Sequence, residues 1–268
     1  MPRITALYRY PVKGFTPELR DELRVQPDGR MAGDRVLAFR FAQAIHPESQ
    51  DGRDYWPKSK GLALMTFPSL ARLRTSFDES ERRLRIEADN TVLVDAGLDD
   101  AGRAEIVSAV TEFLRTTPDA KRLRRSDVLP LALIGDGETA RFQDRSRGFV
   151  SLHARASQRE LGDAGDERRF RSNVVIDGVD AWQELSWQGR VRISGTAFRV
   201  HKPIGRCLAT HANPDTGVRD ADVLGALPRL NGQPDPTMGV LLLPDAPFPE
   251  GGATIRVDDE VVPDEGAT

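Results

Sequence analysis

The sequence predicts an α+β fold rich in strands, on three observations: short segments in which apolar and polar residues alternate, frequent turn signals between them, and one long amphipathic helix. From Ile4 to Val12 the apolar side chains fall at every second position, the pattern of a half-buried strand, and Lys13-Gly14 ends it. Residues 34–41, 84–87 and 91–94 read as further strands, separated by turn-forming pieces such as Gln26-Pro27-Asp28-Gly29 and His46-Pro47. The helix is expected over 101–115, where Ile106, Val107, Val110, Phe113 and Leu114 make one apolar stripe. Asp99 or Asp100 can cap its start, and Thr117-Pro118 stops it. Beyond it, strands are expected at 148–152, 173–177, 190–194, 197–202, 207–211, 239–243 and 253–257, with short helices near 154–161 and 220–228. No internal repeat and no recurring βαβ rhythm is visible, so the reading is a barrel-like, strand-rich protein.

At 268 residues the chain can bury one large core or two of ordinary size. The helix and the polar stretch after it put the boundary near 120–128, which gives expected domains at 1–122 and 123–268. Apolar runs such as Val240-Leu241-Leu242-Leu243 fall far short of the roughly 20 residues needed to span a bilayer. Met1-Pro2-Arg3 leads into no apolar secretory core, so a cytoplasmic protein without a membrane partner is expected. The formal charge of -3 argues against a general polyanion binder, nucleic acid included. Lysine occurs only at positions 13, 58, 60, 121 and 202, and the other basic side chains are arginine. One arginine therefore says little, while several around one position would mark a phosphate or carboxylate site.

The single cysteine, Cys207, excludes an intramolecular disulfide, an all-cysteine zinc site and an Fe–S cluster held within one chain. No G-x-G-x-x-G element suggests a built-in nucleotide site, so redox chemistry would draw its electrons from a separate partner. Asp215-Thr216-Gly217 matches the triplet of aspartic proteases, but only one copy is present, and Asn213-Pro214 before it marks a turn. The histidines at 46, 153, 201 and 211 form no metal-binding pair. On a strand, Cys207 and His211 would share a face about 13 Å apart, too far for direct proton transfer. A bend, or a neighbouring strand carrying His201, would still allow a cysteine-dependent hydrolase or transferase. A lone cysteine is most often a small core residue. In Lys202-Pro203-Ile204-Gly205-Arg206-Cys207, however, the sulfur follows an interrupted strand end and adjoins a cation, which suits a soft metal ligand.

The ordered set Phe170-Arg171-Ser172-Asn173-Val174-Val175-Ile176-Asp177-Gly178, Trp182-Gln183-Glu184, Gly195, Arg206-Cys207, Thr210, Asn213-Pro214-Asp215-Thr216-Gly217 and Gly239-Val240 resembles the MOSC domain, named for the C-terminal domain of molybdenum-cofactor sulfurases. Tyr10-Pro11-Val12-Lys13-Gly14 and Gly33-Asp34-Arg35 resemble the β-barrel domain that precedes it in many members. The layout is similar to mitochondrial amidoxime-reducing components and to bacterial proteins that detoxify hydroxylaminopurine. The resemblance implies two β-barrel-type domains, and a molybdenum cofactor (molybdopterin) whose metal is bound by Cys207. It implies that Lys13, Gly14, Arg35, Arg171, Asn173, Gly205 and Arg206 hold the pterin and its phosphate. It further implies an oxidoreductase acting on N-hydroxylated or similar small substrates, with electrons from an external electron-transfer protein; a cofactor carrier or sulfur-transfer protein is the alternative within the family. The sequence departs from the relatives at Ser172, where proline is usual, and at Gly14, where many carry serine. The 268 residues leave no room for the pyridoxal-phosphate domain of the sulfurases, so that cofactor is not expected.

Overall fold

The structure is a computed structural model and describes residues 1–264. Its centre is an eight-stranded mixed sheet in the order Val261–Pro263, Arg190–Ile193, Thr196–Gly205, Thr237–Pro244, Val150–Ala154, Val174–Asp177, Arg3–Arg9 and Glu18–Arg20. All neighbours run antiparallel except Val150–Ala154 and Val174–Asp177, which are parallel. The N-terminal strand thus lies inside a sheet otherwise built mostly from residues beyond 150, with Leu7 opposite Val174. Alternation explains the sheet's two faces: Val191 and Ile193, Val240 and Leu242, and Ile4 are buried in one cluster with Trp187 and Phe198. The strand-rich α+β expectation is met, although among the described residues the strand pairings do not close the large sheet into a ring.

A second core surrounds the long helix, Asp100–Arg115. Asp99 caps it by accepting the Gly102 N–H at 2.7 Å, and Ile106, Val110, Phe113 and Leu114 face inward. That face packs against a three-stranded meander, Arg74–Asp78, Arg83–Ala88 and Thr91–Gly97, and against the pair Ala38–Phe41 and Leu131–Ile134. The strand Ala253–Arg256 returns from the far end of the chain to pair with Glu22–Val25.

Two local expectations are corrected. Only Ala38–Phe41 of the segment 34–41 is strand; Asp34 and Arg35 instead form a turn in which Arg35 takes φ +53°, a left-handed conformation outside the extended range of a strand. Residues 207–211 are not a strand either. Cys207 is extended and caps a short 3₁₀ turn, Leu208–His211, because its carbonyl accepts both the backbone N–H and the hydroxyl of Thr210 at 3.0 Å. The chain therefore folds back at the cysteine instead of continuing across the sheet.

Candidate functional site

A cleft of about 330 Å³ opens where the segments 13–14, 35, 169–173 and 204–210 converge. Its wall includes Lys13, Gly14, Arg35, Arg171, Asn173, Gly205, Arg206 and Cys207, so the structure brings together the residues that the resemblance assigns to the cofactor. It also includes Lys58, Arg145, Arg147 and Arg169, which sequence reading did not select. Among the described residues, eight cationic side chains and one carboxylate, Asp144, line the cleft. In a chain with a net charge of -3, that local excess marks an anion site.

Tyr10 is the pivot of the cationic wall. Its ring is buried, with the Arg171 guanidinium 4.4 Å and the Arg35 guanidinium 4.9 Å from its centroid, and its hydroxyl donates to the Ser172 carbonyl at 3.2 Å. Burial pushes the Tyr10 phenol up, against the opposing pull of Arg171 and Arg35, so the ring stays neutral. Both arginines are in left-handed backbone conformations, φ +53° for Arg35 and +54° for Arg171. Each such conformation costs about 1 kcal/mol or more and persists because the surroundings enforce it.

Asp34 supplies much of that enforcement. Its buried carboxylate accepts the Tyr10 N–H at 2.8 Å and the Asn173 amide at 3.3 Å, and pairs with Arg35. Burial would lower the Arg35 pKa, but the Asp34 carboxylate outweighs it and raises it. Asn173 also donates to the Tyr8 carbonyl at 3.1 Å and accepts from the Ser151 hydroxyl at 2.8 Å, which ties neighbouring strands beneath the cleft.

The remaining cations differ in how far they are already satisfied. Lys13 is buried and donates to the Phe142 carbonyl at 3.0 Å and to Asp144 at 2.6 Å. Desolvation lowers its pKa, partly offset by Asp144. The opposite balance holds at Asp144, where burial acts upward but Lys13 holds the carboxyl at about 2. Arg206 donates to the carbonyls of Phe170 at 2.6 Å and Met238 at 2.9 Å, which braces the 170–173 segment against the sheet. Arg169, almost fully buried, joins the His211 carbonyl at 3.1 Å and Asp220 at 2.7 Å and so supports the turn that carries Cys207.

Arg171 is the exception. Its one hydrogen bond goes to the Phe15 carbonyl at 2.5 Å, and among the described residues no carboxylate pairs with it. Desolvation lowers its pKa to about 10, which still leaves it charged at neutral pH. A desolvated cation with open donors, in the same cleft wall as a cysteine, is what an anionic ligand would complete.

Cys207 is half-buried, and among the described residues its sulfur has no hydrogen-bond partner. Neither histidine serves it as a base. His211 accepts the Leu224 N–H at 3.2 Å through Nε2, His201 stacks on Phe149 at 5.0 Å, and neither lines the cleft. Among the described residues no group of three or more His, Cys, Asp or Glu gathers around an ion, so a metal on Cys207 would take its other ligands from a bound molecule. Asp215 is a turn residue: Asn213 accepts its N–H at 2.9 Å, Gly217 takes φ +68°, and Arg168 pairs with the carboxylate at 2.8 Å.

The two departures from the relatives acquire physical meaning. Gly14 has φ +85°, and a Cβ there would stand 3.1 Å from the Leu62 carbonyl, so glycine fits the backbone better than serine. Ser172 is buried, and among the described residues its hydroxyl has no partner. Behind Phe170 lies His153, fully buried, its two ring nitrogens within good hydrogen-bond geometry of no partner among the described residues. Burial pulls its pKa down to about 3. The cations missed in the sequence had a weak local signal, Arg145-Ser146-Arg147 and Arg168-Arg169, which an arginine-rich composition conceals.

A stretch of 62 residues is 37% identical to the molybdenum cofactor sulfurases of Drosophila yakuba and Drosophila melanogaster, covering 23% of this chain and 8% of each relative. The match therefore spans less than a tenth of the curated relatives' length. The YUAD protein from Bacillus subtilis superposes over 97% of this chain and 94% of its own, at 12% identity and a TM-score of 0.40, too low to establish a common fold. No helix among the described residues is long and apolar enough to cross a membrane. The family model of the MOSC domain matches residues 149–262, which carry Arg171, Asn173, Arg206 and Cys207, so that part of the chain is a MOSC domain.

Proposed function

We propose that the cleft binds a molybdenum cofactor and that Cys207 is the protein's ligand to its metal. The observation that carries this reading is the pairing of an uncompensated, desolvated cation, Arg171, with an unpartnered cysteine sulfur in one cleft. The donor set suits the group: planar guanidiniums take phosphate oxygens in pairs, and a thiolate suits a soft transition metal. Arg171 and Arg35 would hold the phosphate, with Lys13 available once its bond to Asp144 is exchanged for one to the ligand. Arg206 and Asn173 would act as braces, since their donors are already engaged with the protein. When bound, the cofactor supplies two-electron redox chemistry at the metal. The chain's part is to fix the group against Cys207 and to surround its negative charge.

On this reading the protein is an oxidoreductase that reduces N-hydroxylated or similar small substrates, with electrons from a separate electron-transfer protein. X-ray absorption at the molybdenum edge, on cofactor-loaded wild type and Cys207→Ser, tests the ligation. One sulfur neighbour is expected to disappear in the variant; an unchanged sulfur shell would rule Cys207 out. Loaded wild type is expected to turn over an N-hydroxylated substrate with an artificial reductant and not with NADH alone. Stable cofactor binding without turnover would make the protein a carrier.

A further inference from the structure

A second cleft, of about 400 Å³, lies beside the first and shares Arg147 with it. It falls at the lower end of small-ligand sites in size, where a nucleotide-sized molecule fits. Four guanidiniums line it, those of Arg30, Arg53, Arg147 and Arg199, against the single carboxylate of Asp28. Arg30 and Arg199 already have acidic partners, Asp28 and Asp245. Arg53 and Arg147 have neither an ion pair nor a hydrogen bond among the described residues, which leaves two forks open toward one space.

The cleft is built, not merely a charged surface. The turn that carries Arg30 sits against residues 146–148 through two glycines. A Cβ on Gly148 would lie 2.7 Å from the Arg30 nitrogen, and one on Gly29 would lie 2.9 Å from the Gly148 carbonyl oxygen. This backbone contact sets Arg30 in place, with its Nη2 donating to the Ser146 carbonyl at 3.3 Å and its buried Nε left without a partner. Pro27, Leu243 and Pro244 form an apolar part of the wall. Phosphate oxygens match the guanidinium forks, and a planar base can stack on a guanidinium face or lie on the apolar wall.

We propose that this second cleft binds a nucleoside phosphate, with Arg53, Arg147 and Arg30 on the phosphate and the base against the Pro27, Leu243 and Pro244 wall. The inference stands on this cleft's own geometry and holds whatever fills the first. The test is isothermal titration calorimetry of the full, cofactor-free chain at low salt with a nucleoside monophosphate, inorganic phosphate and the unphosphorylated nucleoside. Saturable binding of the monophosphate is expected, with phosphate alone about tenfold weaker or more and the nucleoside weaker still. Arg53→Gln and Arg30→Gln should each weaken the monophosphate about tenfold, the scale of a lost charge-assisted hydrogen bond. Arg171→Gln, in the first cleft, should leave it within about twofold of wild type. Absence of saturable binding, insensitivity to both Arg53→Gln and Arg30→Gln, or equal affinity for inorganic phosphate would overturn the proposal. Loss on Arg171→Gln would also overturn it, by moving the ligand to the first cleft.

Discussion

The Arg171 guanidinium lies 4.4 Å from the centre of the buried Tyr10 ring, which presents it to the cleft without a competing carboxylate. A desolvated cation–π contact is worth about 2 kcal/mol, so Tyr10→Leu should weaken retention of the pterin cofactor by roughly tenfold or more. Tyr10→Phe keeps the ring and loses only the hydroxyl bond to Ser172. It should stay within about threefold of wild type. Equal losses in both variants would show that the hydroxyl, not the ring face, positions the arginine.

Among the described residues Asp144 is the only carboxylate in the wall of the cleft, and its oxygen occupies Lys13. Asp144→Asn should therefore strengthen anion binding several-fold and make its salt dependence slightly steeper, because the net positive charge of the cleft rises. Since Lys13 holds the carboxyl at about 2, the wild-type affinity should not rise between pH 7 and 5 through this group. Calorimetry with the cofactor at both pH values checks the two statements together.

His153 predicts a specific loss of stability in mild acid. Its folded pKa of about 3 lies below the unfolded value near 6.5, so the unfolded chain binds the proton first. The stability it contributes is complete above about pH 6.5 and is lost as pH falls toward 3. Between pH 7 and 5 that amounts to about 2 kcal/mol. His153→Leu should shrink the pH 7-to-5 difference in denaturant-measured stability by this amount, whatever its effect at pH 7. An unchanged difference would mean that the ring takes up its proton as readily in the folded protein as in the unfolded chain.

Gly14→Ser restores the residue many relatives carry, yet it should destabilise this chain. A side chain at φ +85° costs about 1–2 kcal/mol, and the added Cβ would crowd the Leu62 carbonyl. A chemical denaturation curve with an unchanged slope and a lower midpoint is the expected result. Equal stability would show that the turn can relax.

The sequence made the regular elements readable where one physical signal dominated. The helix Asp100–Arg115 was legible because its apolar stripe, its acidic cap and Thr117-Pro118 all agree. The turn at Arg35 was not, because a left-handed arginine is held there by Asp34 and Tyr10, contacts that no local pattern encodes. The 207–211 segment, expected as a strand, failed for a related reason: the Thr210 hydroxyl bonds back to the Cys207 carbonyl and turns the chain. At the site, the ordered residues around Arg171 and Cys207 were recognisable as a set. Lys58, Arg145, Arg147 and Arg169 were hidden among many arginines, since only the folded chain shows which of them face one space.

The pairing of Arg3–Arg9 with Val174–Asp177 has a kinetic side as well. Arg171 bonds to Phe15 across 156 positions of sequence, and Asp34 meets Asn173 across 139. During synthesis no early portion of the chain can hold a pre-formed anion site, because half of its walls have yet to leave the ribosome. Closing such long loops is slow, and the first strand must wait with an unpaired edge until its partner arrives. The cleft is thus among the last parts of the molecule to form, and an anionic ligand that joins both ends of the chain would favour that final closure by mass action.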